Sequence, residues 1–150
     1  MSDDPYDLER FVSAQNSGDT YRQALGELRG GRKTTHWMWF VFPQLAGLGR
    51  SRMSRTYAIS SVEEAAAFLR HPVLGTRLTE CAGALLDVHD RRASEILGAV
   101  DAQKLQSSMT LFMRAAPDVP VFREVLDRYF GGSPDPATDR ALGWSADRDR

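Results

Sequence analysis

A chain of 150 residues and 16.7 kDa is long enough to bury a core in one domain without disulfides or metals. Its 19 Lys and Arg against 20 Asp and Glu give a net charge of -1, which disfavours a broad nucleic-acid-binding surface. The single cysteine, Cys81, excludes an internal disulfide. Neither a signal-peptide pattern nor a membrane-length apolar run is found, so a cytoplasmic location without membrane contact is expected. Cofactor motifs and metal-ligand spacings are missing, so no cofactor and no metal site are expected.

Helix signals follow one another along the chain, whereas hairpin signals are missing. Apolar residues recur at spacings of three and four, and capping residues or prolines bound most of these runs. The predicted caps include Ser51, Ser61 paired with Glu64, Asp101 and Asp135. The predicted helices cover residues 5 or 7 to 15, 19 or 20 to 29, 36 to 42, 51 to 57, 61 to 69, 72 to 88, 94 to 97, 101 to about 113, 121 to 130, and 136 to about 144.

This pattern predicts an all-α fold, with a single compact domain of about eight mostly short helices around a buried central aromatic helix. The segments are too short and unequal for long parallel packing, which favours an orthogonal array over a four-helix bundle. The aromatic segment from His36 to Pro43 is predicted to be a helix capped by Thr34 or Thr35, with a buried strand as the alternative. Residues 145–150 are expected to form a frayed tail.

Two loops that combine glycine with cations are candidates for an anion site. Residues 30–35 read GGRKTT and residues 47–51 read GLGRS, each just before a predicted helix. Such loops can direct backbone N–H groups at an anion, and a helix N-terminus favours negative charge. The ligand-binding candidates here are Arg32, Lys33, Arg50 and Ser51. The alternative interpretation is a glycine helix cap followed by a solvated turn.

The aromatic block between the two loops, residues 36–42, reads HWMWFVF and is too apolar to lie on a surface. A buried central helix accounts for most of it. Trp37 and Trp39 are nevertheless candidates for stacking a flat ligand. His36 is a candidate catalytic acid or base, and a capping or buried histidine is the alternative.

A second polar stretch lies in the predicted helix that begins at Asp101. Lys104, Ser107 and Ser108 share one helical face, which makes them ligand-binding candidates, and Asp101 is the second catalytic candidate. Lys33 and Lys104 are the only lysines in the chain. The alternative interpretation is that the serines pack against neighbouring helices while Lys104 pairs with Asp101.

Several sequence blocks resemble those of a known family. They are DLERFVSAQ (7–15), GRKTTHWMWFVFPQLAGLGRS (31–51), YAISSVEEA (57–65), HPVLGTRL (71–78), KLQSSMTLF (104–112) and YFGG (129–132). On these blocks, which extend over about residues 7–142, the chain resembles the bacterial family catalogued as domain of unknown function 1810 (DUF1810). The resemblance implies a multihelical fold with central buried helices, and it transfers no activity and no catalytic residue.

The C-terminal half is also similar, more distantly, to the NADAR (NAD- and ADP-ribose-associated) glycosidase families. The similarity consists of a lysine-containing helix, an aromatic helix and a turn that ends in glycine. No catalytic residue is transferred from it. Its implication concerns only the ligand class, for which it suggests a nucleotide or an ADP-ribose-like nucleotide sugar.

Two functions of different class fit these observations. The first is the binding or processing of a nucleotide or nucleotide-sugar anion in a cleft beside Trp37 and Trp39, with enzymatic activity left open. It requires that the cationic segments meet at one cavity. The second is a non-enzymatic protein-interaction module, such as a homodimer, which requires an exposed apolar patch.

Overall fold

The computed structural model describes residues 4–144, and the tail predicted over residues 145–150 lies outside them. The described residues form helices joined by short loops, so the all-α prediction is confirmed. The β-type pairing within this range is limited to an isolated bridge between Leu45 and Ile59. None of the helices between residues 4 and 144 is long and apolar enough to cross a bilayer.

The helices follow one another with few intervening residues, and a 3-10 turn, Ser17–Asp19, joins the first two. Their bounds are α1 (Glu9–Asn16), α2 (Thr20–Arg29), α3 (Met38–Val41), α4 (Arg52–Thr56), α5 (Val62–Arg70), α6 (Leu74–Leu86), α7 (Ala93–Leu97), α8 (Ala99–Ala115), α9 (Pro120–Phe130) and α10 (Pro136–Leu142).

Helix α8 organises the core because it is the longest helix and packs against α5, α7, α9 and α10. Its residues Leu105, Met109 and Phe112 are fully buried. The ring of Phe112 contacts those of Phe68 on α5 and Phe122 on α9, with centroids 5.3 and 5.8 Å apart. Aromatic side chains bury the most apolar area per residue, so this cluster joins three helices around one centre.

Most of the predicted aromatic block is buried, as expected, although only Met38–Val41 are helical. Trp37 and Phe42, which bracket α3, are completely buried. Helix α3 packs against α1 and α6. The aromatic block therefore serves mainly as core, and its burial fixes the position of the loops on either side.

Three predicted helix caps are confirmed. The side chains of Ser51, Ser61 and Asp135 each accept a hydrogen bond from the backbone N–H three residues further on. The predicted capping box is only half formed, because the Glu64 carboxylate accepts from the backbone N–H of Ser60 instead of that of Ser61. These caps depend on local chain geometry alone, which is why the sequence predicts them well.

Two other predicted caps are wrong. Neither Thr34 nor Thr35 caps α3, which begins without a side-chain cap. Asp101 does not cap α8, since that helix begins two residues earlier, at Ala99. Gly98 has a φ of 88°, which lets the chain turn sharply between α7 and α8. Asp101 consequently lies in the first turn of α8, with its carboxylate free to contact other segments.

Helices α5 and α6 approach so closely that position 75 requires glycine. A Cβ atom added to Gly75 would lie 2.0 Å from the backbone carbonyl oxygen of Leu69. Backbone atoms cannot rotate away as a side chain can, so relief would require α6 to move. Gly83, on the same helix, has no atom within 4 Å of its Cβ position.

We expect Gly75→Ala to lower the free energy of unfolding by more than about 2 kcal/mol, because the clash separates α5 from α6. Gly83→Ala is the matched control, and it is expected to stabilise the protein by about 0.5–1 kcal/mol through higher helix propensity. Urea unfolding followed by circular dichroism measures both effects. Equal effects of the two substitutions would contradict the close-approach explanation.

Candidate functional site

The carboxylate of Glu27, on α2, lies at the centre of the first glycine-cation loop. Its Oε1 atom accepts hydrogen bonds from Thr34 N at 2.8 Å, Thr35 N at 3.0 Å and Trp37 Nε1 at 3.0 Å. Its Oε2 atom accepts one from Thr35 Oγ1 at 2.6 Å. The loop therefore does bind an anion, but that anion is a side chain of the protein itself.

These hydrogen bonds determine the charge state of Glu27. Burial alone would raise the pKa of this carboxyl, because desolvation disfavours the charged form. The hydroxyl of Thr35, the backbone N–H groups and the Trp37 indole outweigh burial, and they lower the pKa of Glu27 to about 2. Glu27 is consequently ionised at neutral pH.

The remaining backbone N–H groups of residues 30–35 are also occupied. Arg32 N donates to the backbone oxygen of Glu27 at 3.0 Å, and Lys33 N donates to that of Ile96 at 2.7 Å. Gly30 is the C-cap residue of α2, so the glycine-cap interpretation of this loop is confirmed. The predicted ligand-binding residues of this loop, Arg32 and Lys33, could therefore contact a ligand only through their side chains.

The two lysines of the chain meet at one carboxylate. Lys33 Nζ lies 2.8 Å from Asp101 Oδ2, and Lys104 Nζ lies 3.2 Å from Asp101 Oδ1. Each ammonium also lies over an indole ring, Lys33 at 5.1 Å from the centroid of Trp37 and Lys104 at 5.0 Å from that of Trp39. The predicted pair between Lys104 and Asp101 is confirmed. Two ammonium groups around one carboxylate leave a local excess of positive charge beside the aromatic block.

A cavity of about 320 Å³ opens beside Lys104. One of its walls is a stripe of α8, made of Val100, Gln103, Lys104 and Ser107, which helical spacing places on a single face. The other lining residues are Gln44, Leu48 and Gly49 from the segment between α3 and α4, Ser54 from α4, and Asp135 and Ala137 from the start of α10.

The lining groups are mostly hydrogen-bonding groups with one cation. Lys104 supplies the ammonium, and its side chain is 21% exposed. Ser107 is buried, and its hydroxyl is 2.8 Å from that of Thr138. Ser108, predicted beside it, is fully buried, and its hydroxyl has no hydrogen-bond partner among residues 4–144. The predicted face of α8 thus contributes Lys104 and Ser107 to the cavity, while Ser108 lies in the core.

Several other predicted residues lie away from the cavity wall. Those that are exposed and do not line it are Arg32, His36, Arg50 and Ser51. The second glycine-cation loop reaches the cavity only through Leu48 and Gly49. Trp37 is core, whereas Trp39 is half-buried, and its indole N–H is buried with no acceptor among the residues that the structure describes. Nowhere in residues 4–144 are three or more His, Cys, Asp or Glu side chains grouped to hold a metal ion.

Comparison with known proteins agrees with this architecture. A family model described as "Protein of unknown function (DUF1810)" matches residues 5–142. The chain belongs to this family. It is similar to the conserved hypothetical protein Rv1873 from Mycobacterium tuberculosis, whose crystal structure was solved at 1.38 Å, with 51% sequence identity and a TM-score of 0.91. That similarity covers 95% of this chain and 100% of the other. No curated protein matches the chain.

Two features of this DUF1810 protein are not predicted from its sequence. Glu27, which accepts the hydrogen bonds of the loop, lies on the preceding helix. Nothing in the sequence distinguishes it from other helix carboxylates. Asp135 and Val100 line the cavity, but their sequence context indicates only a helix cap and an ordinary apolar position. Both failures have the same origin, because helix packing decides which parts of the chain face one another.

We expect Glu27→Gln to lower the free energy of unfolding by about 1–3 kcal/mol at neutral pH, since an amide cannot accept all four hydrogen bonds. The folded-state pKa of Glu27 is lowered, so its contribution is complete above about pH 5 and is lost as the pH falls towards 2. The difference between the two proteins should therefore shrink at acidic pH in urea unfolding experiments.

Glu124→Gln, at an exposed position on α9, is the matched control for loss of one carboxylate. It should change stability by less than about 0.5 kcal/mol. A Glu27→Gln protein as stable as the control variant at pH 7 would show that the loop does not depend on this carboxylate.

Proposed function

We propose that this DUF1810 protein binds a phosphate-bearing small molecule, a nucleotide or nucleotide sugar, in the cavity beside Lys104. The observation that carries the proposal is the position of Lys104, which contacts Asp101, lies over Trp39 and still forms part of the cavity wall. An ammonium held in this way is a preorganised contact for an anionic oxygen, because little side-chain entropy is lost when the ligand binds.

The size and chemistry of the cavity support this ligand class. Its volume of about 320 Å³ is at the lower end of the range of about 300–1,000 Å³ for small-molecule sites. Gln44, Gln103 and Ser54 line the same cavity, and their amides and hydroxyl are neutral groups suited to sugar and phosphate oxygens. Such a site encloses one part of a nucleotide and leaves the remainder at its mouth.

In this proposal Asp101 is a positioning residue. Its two carboxylate oxygens contact the two ammonium groups, so it holds Lys104 against the Trp39 ring. Lys33 pairs with the other oxygen of Asp101, and the Trp37 ring lies beside the Lys33 ammonium. Arg32, Arg50 and Ser51 remain sequence predictions, as does His36 as an acid or base. Binding is the proposed activity, and a reaction on the bound molecule is not part of it.

We expect Lys104→Met to weaken ADP-ribose binding at least about tenfold, because a charge-assisted contact to phosphate contributes about 1.5–3 kcal/mol. The fold should survive, since Asp101 keeps Lys33 as a partner. Arg22→Met is the control, because it also removes one positive charge, from an exposed position on α2. Isothermal titration calorimetry measures affinity, and thermal melting checks folding.

Two results would contradict the proposal. One is the failure of ADP-ribose, AMP and inorganic pyrophosphate to bind the unsubstituted protein at millimolar concentration. The other is an equal loss of affinity in the Lys104→Met and Arg22→Met variants, which would indicate attraction by overall charge and not by this site.

The second function class, a protein-interaction module, has less support. Such a module needs a contiguous exposed apolar patch. Among residues 4–144 the exposed large apolar side chains are Met53 and Val100. Val100 also lines the cavity, where a ligand can cover it, so the apolar surface favours small-molecule binding over a partner protein.

A further inference from the structure

The cavity wall on α8 changes in character from one end to the other. Val100, an apolar side chain, is 68% exposed and lies one helical turn before Lys104. Ser107, with a hydroxyl group, lies about one turn after Lys104. Seven residues at the α-helical rise separate Val100 from Ser107 by about 10 Å along the axis. An apolar end, a cationic middle and a hydroxyl-bearing end therefore follow one another along a single wall.

A carboxylate lies at the hydroxyl-bearing end. The hydroxyl of Ser107 contacts that of Thr138, and Thr138 donates to Asp135 Oδ2 through both its backbone N–H and its hydroxyl. The other oxygen, Asp135 Oδ1, has no hydrogen-bond partner among residues 4–144, and Asp135 lines the cavity. A carboxylate accepts hydrogen bonds from sugar hydroxyls and repels phosphate.

The apolar end is formed by Val100, whose side chain is mostly exposed, and Leu48 lines the same cavity. Together they offer an apolar surface to the flat face of a base, which gains affinity from the area that it removes from water.

From this order of groups, and resting on the function proposed above, we infer that the ligand is a nucleoside diphosphate sugar. Its base contacts Val100 and Leu48, its diphosphate contacts Lys104, and the hydroxyls of its terminal sugar donate to Asp135. A nucleoside monophosphate should bind less tightly with its base at Val100. It lacks the second phosphate that contacts Lys104 and the terminal sugar whose hydroxyls donate to Asp135.

The test measures the affinities of ADP-ribose, AMP and inorganic pyrophosphate for three proteins by calorimetry. The first is the unsubstituted protein, which should bind ADP-ribose more tightly than AMP. The second is Asp135→Asn, which keeps the helix cap because asparagine also caps helices. It should weaken ADP-ribose binding about tenfold, while pyrophosphate binding stays unchanged or tightens as a negative charge is lost.

The third protein is Val100→Ser, which removes apolar contact area at the other end of the cavity. It should weaken the binding of ADP-ribose and of AMP about threefold each. The affinity for pyrophosphate should not change, because pyrophosphate has no base. Thermal melting of both variants confirms that they fold.

The outcomes separate the two levels of the proposal. If none of the three molecules binds the unsubstituted protein, the proposed function fails, and the inference fails with it. If ADP-ribose binds, but its affinity rises in Asp135→Asn or does not change in Val100→Ser, the binding function stands and the assignment of these two residues is overturned. AMP binding as tight as that of ADP-ribose would also overturn the diphosphate-sugar inference.

Discussion

The Glu27 carboxylate fixes the connection between α2 and the aromatic block, and much of the structure depends on it. It gathers the N–H groups of Thr34 and Thr35 and the indole N–H of Trp37 onto one side chain. Trp37 is completely buried, so without this acceptor its N–H would be an unpaired donor in the core. The same contacts set the path of the loop, and this path brings Lys33 to Asp101.

Asp101 connects the loop to the cavity wall, because it contacts Lys33 on one side and Lys104 on the other. Each of its oxygens contacts one ammonium, and each ammonium lies over one indole ring. The geometry also explains why lysine occupies both positions in a chain whose other side-chain cations are arginines. A guanidinium tends to engage both oxygens of a carboxylate at once, which would displace the second cation. A compact ammonium uses one oxygen and leaves the other for its counterpart.

A structural feature can be predicted from this sequence when the residues that determine it are close to one another along the chain. The caps at Ser51, Ser61 and Asp135 need only the next three residues, and all three were predictable. The predicted start of α8 is wrong because Asp101 is a typical helix-capping residue, but its carboxylate pairs with Lys33, which lies far away in sequence.

The candidate site shows the same division. The importance of Lys33 and Lys104 could be predicted from their rarity in this chain and from the side chains around them. The roles of Glu27, Val100 and Asp135 could not, because each depends on which element packs opposite. Neither loop spacing nor helical periodicity contains that information. The family match does not add it, since DUF1810 proteins are grouped without an assigned activity.

The scarcity of lysine has a practical consequence for chemical labelling. Reagents that acylate side-chain amines have two targets in this chain, and the Lys33 side chain is only 9% exposed. Lys104 is the more accessible of the two, and it lines the cavity. Among the side-chain amines, Lys104 should therefore react preferentially with a small acylating reagent, and a ligand bound in the cavity should protect it from that reaction.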